Sequence, residues 1–188
     1  MTEELLDDSM LTESQLQMLK AMANSRLGNY AGIPGLSSFF VGGPEHGRVR
    51  LFDCSRAHEE NIVPHSHRFD VLCLVLRGSV ENHLWHLSPN GDLFTATELR
   101  YTGTPDHLER GVTHPAARYR RQSTRYVHGD LYNMKASDIH SIAFSRDALV
   151  LFFEGPEKTA ETLILEPFVD GVTVPTFQVQ PWMYATAP

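Results

Sequence analysis

The residues best placed to do chemistry in this sequence are His65 and His67, two histidines separated by one residue in the segment Val63-Pro64-His65-Ser66-His67. Side chains at alternate positions of a β-strand point to the same face, so both imidazoles could reach one ion while Ser66 points away. Pro64 restricts the backbone that enters the strand. The same spacing also occurs on exposed loops, which is the alternative for the pair taken alone.

Two features of the surrounding sequence favour a metal site over an exposed loop. The histidine pair is followed by a strongly apolar run, residues 71–76, which ends at Arg77-Gly78. Further along the chain, His140 begins a second apolar run after a predicted turn at Gly129. The pattern therefore places histidines at the mouths of two buried strands.

The composition argues against a protein that binds nucleic acid. The 188 residues include 16 Lys+Arg and 23 Asp+Glu, a formal net charge of −7, and such a surface repels phosphate backbones. One basic cluster lies in a stretch where polar and apolar residues alternate, as on the solvated face of an antiparallel strand: Arg118, Arg120, Arg121 and Arg125. We therefore expect no nucleic-acid partner.

The cysteines and the N-terminus point to a reducing compartment. Cys54 and Cys73 are too few for a disulfide framework, and each lies in an apolar run where a reduced, buried thiol is usual. The acidic start of the chain is followed by no long apolar stretch, so neither a signal peptide nor a membrane anchor is expected. These features predict a cytoplasmic protein with no membrane partner.

The sequence pattern predicts one helix followed by a series of strands. Thr12 and Gln15 form a capping-box signature, and apolar residues then recur at helical spacing, which predicts a helix over residues 12–27 ended by Gly28. Residues 31–47 are rich in glycine and proline and predict a loop or short-strand entry region. Strands are predicted at residues 49–54, 71–76, 80–87, 93–101, 118–126, 139–144, 148–153 and 162–168.

About eight short strands after one helix favour a closed all-β barrel or jelly roll. We expect residues 1–11 to be loose, residues 12–28 to form a helix that packs on the barrel, and residues 29–188 to form that barrel as one domain.

At the level of motifs, the chain resembles the cupin superfamily. The resemblance rests on residues 47–51, His65-Ser66-His67, residues 72–78, Ile139-His140 and residues 151–156. It implies a double-stranded β-helix barrel whose first motif is a His-x-His strand closing on a glycine. Within the superfamily the chain is most similar to the cysteine dioxygenase group, in which three histidines hold ferrous iron. The resemblance implies His65, His67 and His140 as ligands of iron(II), and zinc, nickel, cobalt or manganese would accept the same ligand types.

Several residues depart from these family patterns. Many cupins carry a glutamate seven residues before the closing glycine, where this sequence has Val71. Asp70 precedes this position by one residue, so its side chain should point to the opposite face of the strand unless a β-bulge turns it back. Residues 151–153 are apolar where thiol dioxygenases carry a tyrosine and a histidine, and residues 36–40 offer no arginine to bind a substrate carboxylate. Cysteine is therefore not the expected substrate.

Three further residues are candidates for catalytic roles. Cys73 shares the phase of His67 and could line a pocket together with Val75, Phe144 and Phe153, although a packed core thiol is the alternative. Tyr126 and His128 flank the predicted turn at Gly129, as does Tyr132, and could orient a substrate or carry a proton. The alternative for each is a structural side chain satisfied locally.

The strand predicted at residues 80–87 offers two polar faces. Glu81, His83 and Trp85 share one face, and Asn82 and Leu84 share the other. The alternation does not indicate which face lines the cavity.

The expected function is a non-haem iron(II) dioxygenase that oxidises a small-molecule substrate with dioxygen. The alternatives are a cupin that binds a small ligand without oxidising it, and a metal-dependent isomerase or lyase. The resemblance also allows a homodimer, because cupins commonly pair through barrel faces.

Overall fold

The computed structural model describes residues 11–23, 25–28, 30, 33–41, 48–56, 63–101 and 108–175. These residues form one helix and twelve strands. In chain order the elements are α1 (Glu13–Ala21), β1 (Ser25–Leu27), β2 (Leu36–Val41), β3 (Arg48–Cys54), β4 (Phe69–Arg77), β5 (Ser79–Tyr101), β6 (Leu108–Thr113), β7 (Ala117–Val127), β8 (Leu131–Met134), β9 (Ile139–Phe144), β10 (Leu149–Glu157), β11 (Glu161–Val169) and β12 (Val172–Thr173).

The strands form two antiparallel sheets that enclose the core. The first sheet has the order β1-β2-β3-β10-β4-β8, and the second has the order β12-β11-β5-β6, with β7 and β9 also paired to β5. The chain is therefore an all-β jelly-roll barrel with a short N-terminal helix, as the sequence predicts. No helix of the described residues is long and apolar enough to span a membrane.

The core between the sheets is built from side chains at alternate strand positions. Cys73 and Val75 on β4, Phe144 on β9 and Phe152 on β10 belong to this cluster. Phe153 was expected to line the interior, and that prediction is wrong. It lies on the outer face and is 36% exposed, because its neighbour Phe152 occupies the inward phase of β10.

The helix is shorter than predicted. Its capping box is present, since the backbone N–H of Gln15 donates to Thr12 Oγ1 over 3.2 Å. It ends at Ala21 rather than at residue 27, because Ser25–Leu27 pair with residues 38–40 of β2 and become a strand. Backbone pairing with a neighbouring strand thus overrides the helical periodicity. Leu16 fixes the helix to an apolar cluster that contains Leu51 and Leu149.

Strand β5 joins two strands that the sequence predicts separately. Leu87 and Asp92 both lie opposite Tyr119 of β7, so the four residues between them bulge out of one continuous strand. A side chain on Gly91 would place its Cβ 2.1 Å from the carbonyl oxygen of Tyr119, and only glycine allows this approach. The break between the strands predicted at residues 80–87 and 93–101 is therefore a bulge within one strand.

Strand β4 ends at a glycine that the backbone requires. Gly78 has φ of +69°, and a Cβ there would lie 2.7 Å from Ser145 Oγ, which accepts a hydrogen bond from the N–H of Ser79. The turn predicted at Arg77-Gly78 is thus present, and it directs the chain into β5.

Candidate metal centre

The segment that carries the histidine pair lies between β9 and β11. His65 forms isolated bridges with His140 and with Ile164, so the pair precedes β4 instead of belonging to a regular strand. The N–H of His65 donates to the carbonyl of His140, and the N–H of His140 donates to the carbonyl of His65, each over 2.8 Å. This reciprocal pair of bonds holds two of the predicted ligands side by side.

The three predicted ligands converge at one place. The ring centroids are 4.9 Å apart for His65 and His67, 5.0 Å for His65 and His140, and 4.9 Å for His67 and His140. Each ring offers one nitrogen, and these three nitrogens lie within 4.8 Å of one another. The structure thus brings together the histidines that the sequence singles out.

Hydrogen bonds to the other ring nitrogens determine which atoms face inward. Nδ1 of His65 lies 2.8 Å from the carbonyl oxygen of Val63, and Nδ1 of His140 lies 2.8 Å from Oδ1 of Asn82. Because both oxygens accept, both Nδ1 atoms carry the proton and the lone pairs are on Nε2. This tautomer leaves Nε2 of each ring available to bind a metal ion.

The distance between two of these nitrogens tests whether an ion fits. Nε2 of His67 lies 2.8 Å from Nε2 of His140. Two nitrogens about 2.1 Å from one ion are about 3.0 Å apart at a right angle and about 3.4 Å apart at a tetrahedral angle. The observed distance is near the value for adjacent ligands of one ion and is also that of a hydrogen bond between the two rings, so it does not distinguish one metal from another.

Burial keeps the three imidazoles uncharged at neutral pH. Burial is the largest cause of the lowered pKa of His65. It is also the largest cause at His67 and His140, whose pKa values lie well below the usual value for histidine. The neighbouring histidines add to the effect at His67 and His140, and Arg50 contributes at His67. Neutral imidazoles have lone pairs available for a metal ion.

Asp70 lies outside this group of histidines. Its carboxylate accepts a hydrogen bond from the N–H of Ala136 over 2.9 Å and pairs with Lys158. The carbonyl of Ala136 in turn accepts from the N–H of His67 over 3.2 Å. Asp70 therefore supports the loop that carries Ala136, and the contribution of this carboxylate to the centre is indirect.

Aromatic rings and one arginine surround His67. Its ring stacks on Phe69 at 5.7 Å and contacts Phe152 at 5.9 Å. Arg50 lies on the same inward phase as Phe152, which is its register partner across β3 and β10. The positive charge of Arg50 also contributes to the lowered pKa of His67, after burial and His65.

Arg50 is held rigidly by several partners. Its guanidinium donates to Ser38 Oγ over 3.0 Å and forms an ion pair with Glu154 at 3.4 Å. It also lies over the rings of Tyr30 and Phe40, at 5.4 and 5.3 Å from their centroids. The sequence reasoning missed Arg50 and Glu154. The available signal was an arginine in the inward phase of an otherwise apolar strand.

The structure also resolves which face of β5 turns to the centre. Asn82 faces inward and bonds to His140, whereas His83 bonds through Nδ1 to Ser123 Oγ over 2.7 Å. The indole N–H of Trp85 donates to Ser141 Oγ over 3.1 Å. Among the described polar side chains of this strand, Asn82 is hydrogen-bonded to one of the three histidines.

Cys73 and Tyr126, two of the three predicted catalytic residues, pack in a neighbouring part of the core. Cys73 is fully buried and is the register partner of both Tyr132 and Phe152. The ring of Tyr126 stacks on that of Tyr132 with centroids 4.1 Å apart. His128 follows β7, and its Nε2 is buried without a hydrogen-bond partner among the described residues. Phe152, which contacts both His67 and the Cys73 position, is the link between this group and the histidines.

Comparison with known proteins yields distant structural similarity only. No protein-family model and no curated protein matches the chain. A solved structure of KdgF from Halomonas sp. is 17% identical, with 65% of this chain and 81% of that chain covered and a TM-score of 0.38. A cupin superfamily protein from Desulfitobacterium hafniense is 15% identical over 74% of this chain and 86% of that chain, with a TM-score of 0.38.

Oxalate decarboxylase from Lactobacillus farciminis is 14% identical, with 74% of this chain and 32% of that chain covered and a TM-score of 0.44. Similarities of this size do not carry a reaction or a substrate over to this chain. That the chain is of the cysteine dioxygenase type stays a prediction.

Proposed function

We propose that this chain is a cupin in which His65, His67 and His140 hold one iron(II) ion, and that it oxidises a small organic molecule with dioxygen. One observation carries the proposal: three uncharged imidazoles converge in the barrel, and within the described residues their group contains no carboxylate. Iron(II) with three neutral ligands keeps its full charge and open coordination positions, which suits oxygen-dependent oxidation.

The residues around the centre would prepare it for a substrate. Val63 and Asn82 hold the rings of His65 and His140 with Nε2 inward. Phe69 and Phe152 pack against the ring of His67 and make its surroundings more apolar, which strengthens the electrostatic interactions there. Arg50 supplies a positive charge beside His67, so the substrate class that we propose is a small molecule with a carboxylate or another anionic group.

For Cys73, Tyr126 and His128, the residues that the sequence predicts as catalytic, we propose an indirect role. The described contacts join Cys73, Tyr132 and Tyr126 to one another, and Phe152 lies against His67. In that position they would shape the wall behind Phe152 without touching the substrate.

The experiment is metal analysis of the purified protein followed by oxygen uptake with iron-loaded protein. The substrates tested would be thiols, diketones and catechols, each with and without a carboxylate. We expect one metal ion per chain and substrate-dependent oxygen uptake, both lost in His140→Ala and both retained in His86→Ala, whose side chain is exposed. Retention of metal by His140→Ala, or inactivity of iron-loaded protein with every substrate, would contradict the proposal.

A second candidate is a metal-dependent lyase or isomerase that needs no oxygen. The ion pair between Arg50 and Glu154 favours it, because this pair places a proton acceptor beside the cation that would bind an anionic substrate. Turnover of the same substrates under anaerobic conditions would identify this reaction in place of oxidation.

A further inference from the structure

The hydroxyl of Tyr132 is buried in the core without a hydrogen-bond partner. Among the described residues, two buried side-chain atoms lack such a partner, Tyr132 Oη and His128 Nε2. His128 is partly exposed, whereas Tyr132 is 5% exposed and belongs to the core cluster. Burying a hydroxyl without a hydrogen bond costs free energy, and buried tyrosines usually bond through this group. An unpaired phenol in the core is therefore a group that a bound molecule could satisfy.

Tyr132 belongs to a row of inward-facing side chains that crosses the first sheet. Successive register pairs place one residue of each strand in this row: Arg50 of β3, Phe152 of β10, Cys73 of β4 and Tyr132 of β8. The ring of Phe152 lies 5.9 Å from that of His67, so the middle of the row is beside the metal centre. The row therefore has a cation at one end and a hydroxyl at the other.

The hydroxyl of Tyr132 extends from β8 over β4, in the direction of β10. The ring of Tyr126 stacks on that of Tyr132, and the hydroxyl interacts with the thiol of Cys73, its register partner on β4. A thiol is a weak acceptor, so the O–H group is still able to donate to a stronger one. Burial, with a smaller contribution from Cys73, raises the pKa of Tyr132 well above its usual value, and the hydroxyl keeps its proton.

We infer that the Tyr132 hydroxyl donates a hydrogen bond to the substrate of the metal centre, and that this substrate is a small oxo acid. The inference rests on the proposed function, in which Arg50 binds the anionic group of the substrate. The acceptor at the Tyr132 end is a neutral carbonyl, because a second carboxylate there would be buried against an uncharged donor. Three strand spacings of about 4.8 Å separate the backbones of Arg50 and Tyr132, which limits a molecule that reaches both side chains to a small one.

Tyr132→Phe tests whether the hydroxyl is unpaired in the protein without ligand. Removing a hydroxyl that has no partner breaks no hydrogen bond and relieves the burial of a polar group. We therefore expect the urea midpoint of Tyr132→Phe to equal that of the wild type or to exceed it. Tyr119→Phe, whose ring packs on Phe94 in the second sheet, is the matched control. A lower midpoint for Tyr132→Phe than for both other proteins would show that the hydroxyl is already satisfied, and would overturn the inference.

Binding of matched acids tests what the hydroxyl recognises. The probes are pentanoate, 2-oxopentanoate and 4-oxopentanoate, titrated into the purified protein by calorimetry. We expect the wild type to bind at least one oxo acid about five- to tenfold more tightly than pentanoate, which leaves the hydroxyl unpaired. This preference should be lost in Tyr132→Phe and kept in Tyr119→Phe. No preference in the wild type, or an equal preference in Tyr132→Phe, would overturn the inference.

The role of Tyr132 and the proposed oxidation can fail separately. Oxygen uptake by iron-loaded protein, with the same KM in Tyr132→Phe as in the wild type for every substrate, would keep the oxidation and overturn the role of Tyr132. A preference for oxo acids that Tyr132→Phe abolishes, in iron-loaded protein that takes up no oxygen, would do the reverse. Metal content should be the same in Tyr132→Phe and the wild type, because the three histidines are unchanged.

Discussion

The side-chain oxygen of Asn82 accepts a hydrogen bond from the Nδ1–H of His140 over 2.8 Å, and both residues are buried. The bond ties the third histidine, which lies far from the other two in the sequence, to the neighbouring strand. It sets both the tautomer and the plane of the ring. We therefore expect Asn82 to position the ring of His140 for metal binding.

Replacing Asn82 should weaken metal binding while the histidines remain. We predict that Asn82→Leu lowers metal affinity by about 10–100-fold, because ring positioning by an outer partner has effects of this size. Asn82→Asp, which keeps the acceptor, should bind more tightly than Asn82→Leu. Competition with a chromophoric chelator measures both. Asn133→Leu, at an exposed position of β8, is the matched control, and equal affinities for the two leucine variants would refute the positioning role.

The pair of Arg50 and Glu154 should show coupling in stability. Arg50→Met leaves a buried carboxylate, 6% exposed, without its cation, and should cost about 1–3 kcal/mol. Adding Glu154→Gln to that variant should recover part of the loss. Urea unfolding of the wild type, both single variants and the double variant gives the coupling, with Arg146→Met as an exposed control. Strictly additive effects would show that the two side chains do not interact.

The Cys73 thiol should be unreactive in the folded protein. Burial raises its pKa from 9.0 to about 12, so the nucleophilic thiolate is scarce at neutral pH. The folded pKa is above the unfolded one, and the stability that this difference contributes is fully present below pH 9 and is lost as the pH rises towards 12. We expect iodoacetamide to label Cys73 only after unfolding, as read by mass spectrometry. Fast labelling at pH 7 under native conditions would refute the burial argument.

Asp70 should contribute to stability at neutral pH and lose that contribution in acid. Lys158 and the N–H of Ala136 lower the pKa of this carboxyl below 3.8. The contribution is therefore present above that value and disappears as the pH falls through the lower folded pKa. Thermal unfolding of the wild type and Asp70→Asn between pH 2 and pH 7 should give two midpoints that differ at neutral pH and converge in acid. Asp92→Asn is the exposed control, and a constant difference at every pH would exclude this role.

On the outer face of the first sheet, the packing of Leu51 against Leu16 of α1 should contribute most to the free energy of unfolding. Leu51 is 0% exposed in the cluster with Leu16, and Leu51→Ala should cost about 2–5 kcal/mol. Leu131 is 60% exposed on the same sheet, and Leu131→Ala should change the free energy of unfolding by less than about 0.5 kcal/mol. Denaturant titration measures both. Equal losses would mean that the helix does not bury this face.

The structure has strands at all eight segments that periodicity predicted, but β2 and β8, whose buried residues include Leu36 and Tyr132, were not among them. Ile139–Phe144 is placed exactly as its apolar run predicts, and the capping box at Thr12 is present, because both signals are local. What periodicity could not provide was the pairing partner. The strand Ser25–Leu27 and the continuity of β5 across residues 88–91 depend on backbone bonds to β2 and β7, which are distant in the sequence.

The histidines of the centre were predictable because chelation demands specific residue types at specific phases. Asn82 and Arg50 were not predicted as residues of the site. Alternation shows which residues share a face with each of them, but their partners are known only once β5 and β3 are placed in the barrel. Phe153 was predicted to line the interior, but the structure places Phe152 there, one residue earlier. In a strand that is apolar at both phases, alternation does not distinguish inside from outside.

The bridges of His65 have a consequence for the order of folding. His65 forms backbone bridges with His140 on one side and with Ile164 on the other. The group of three histidines is therefore enclosed by segments that come much later in the chain than His65. Such non-local pairings form slowly, after most of the chain has collapsed. A nascent chain that ends before Ile164 holds His65 and His67 without their enclosure. We therefore expect the three histidines to offer a complete metal site only after these segments have paired.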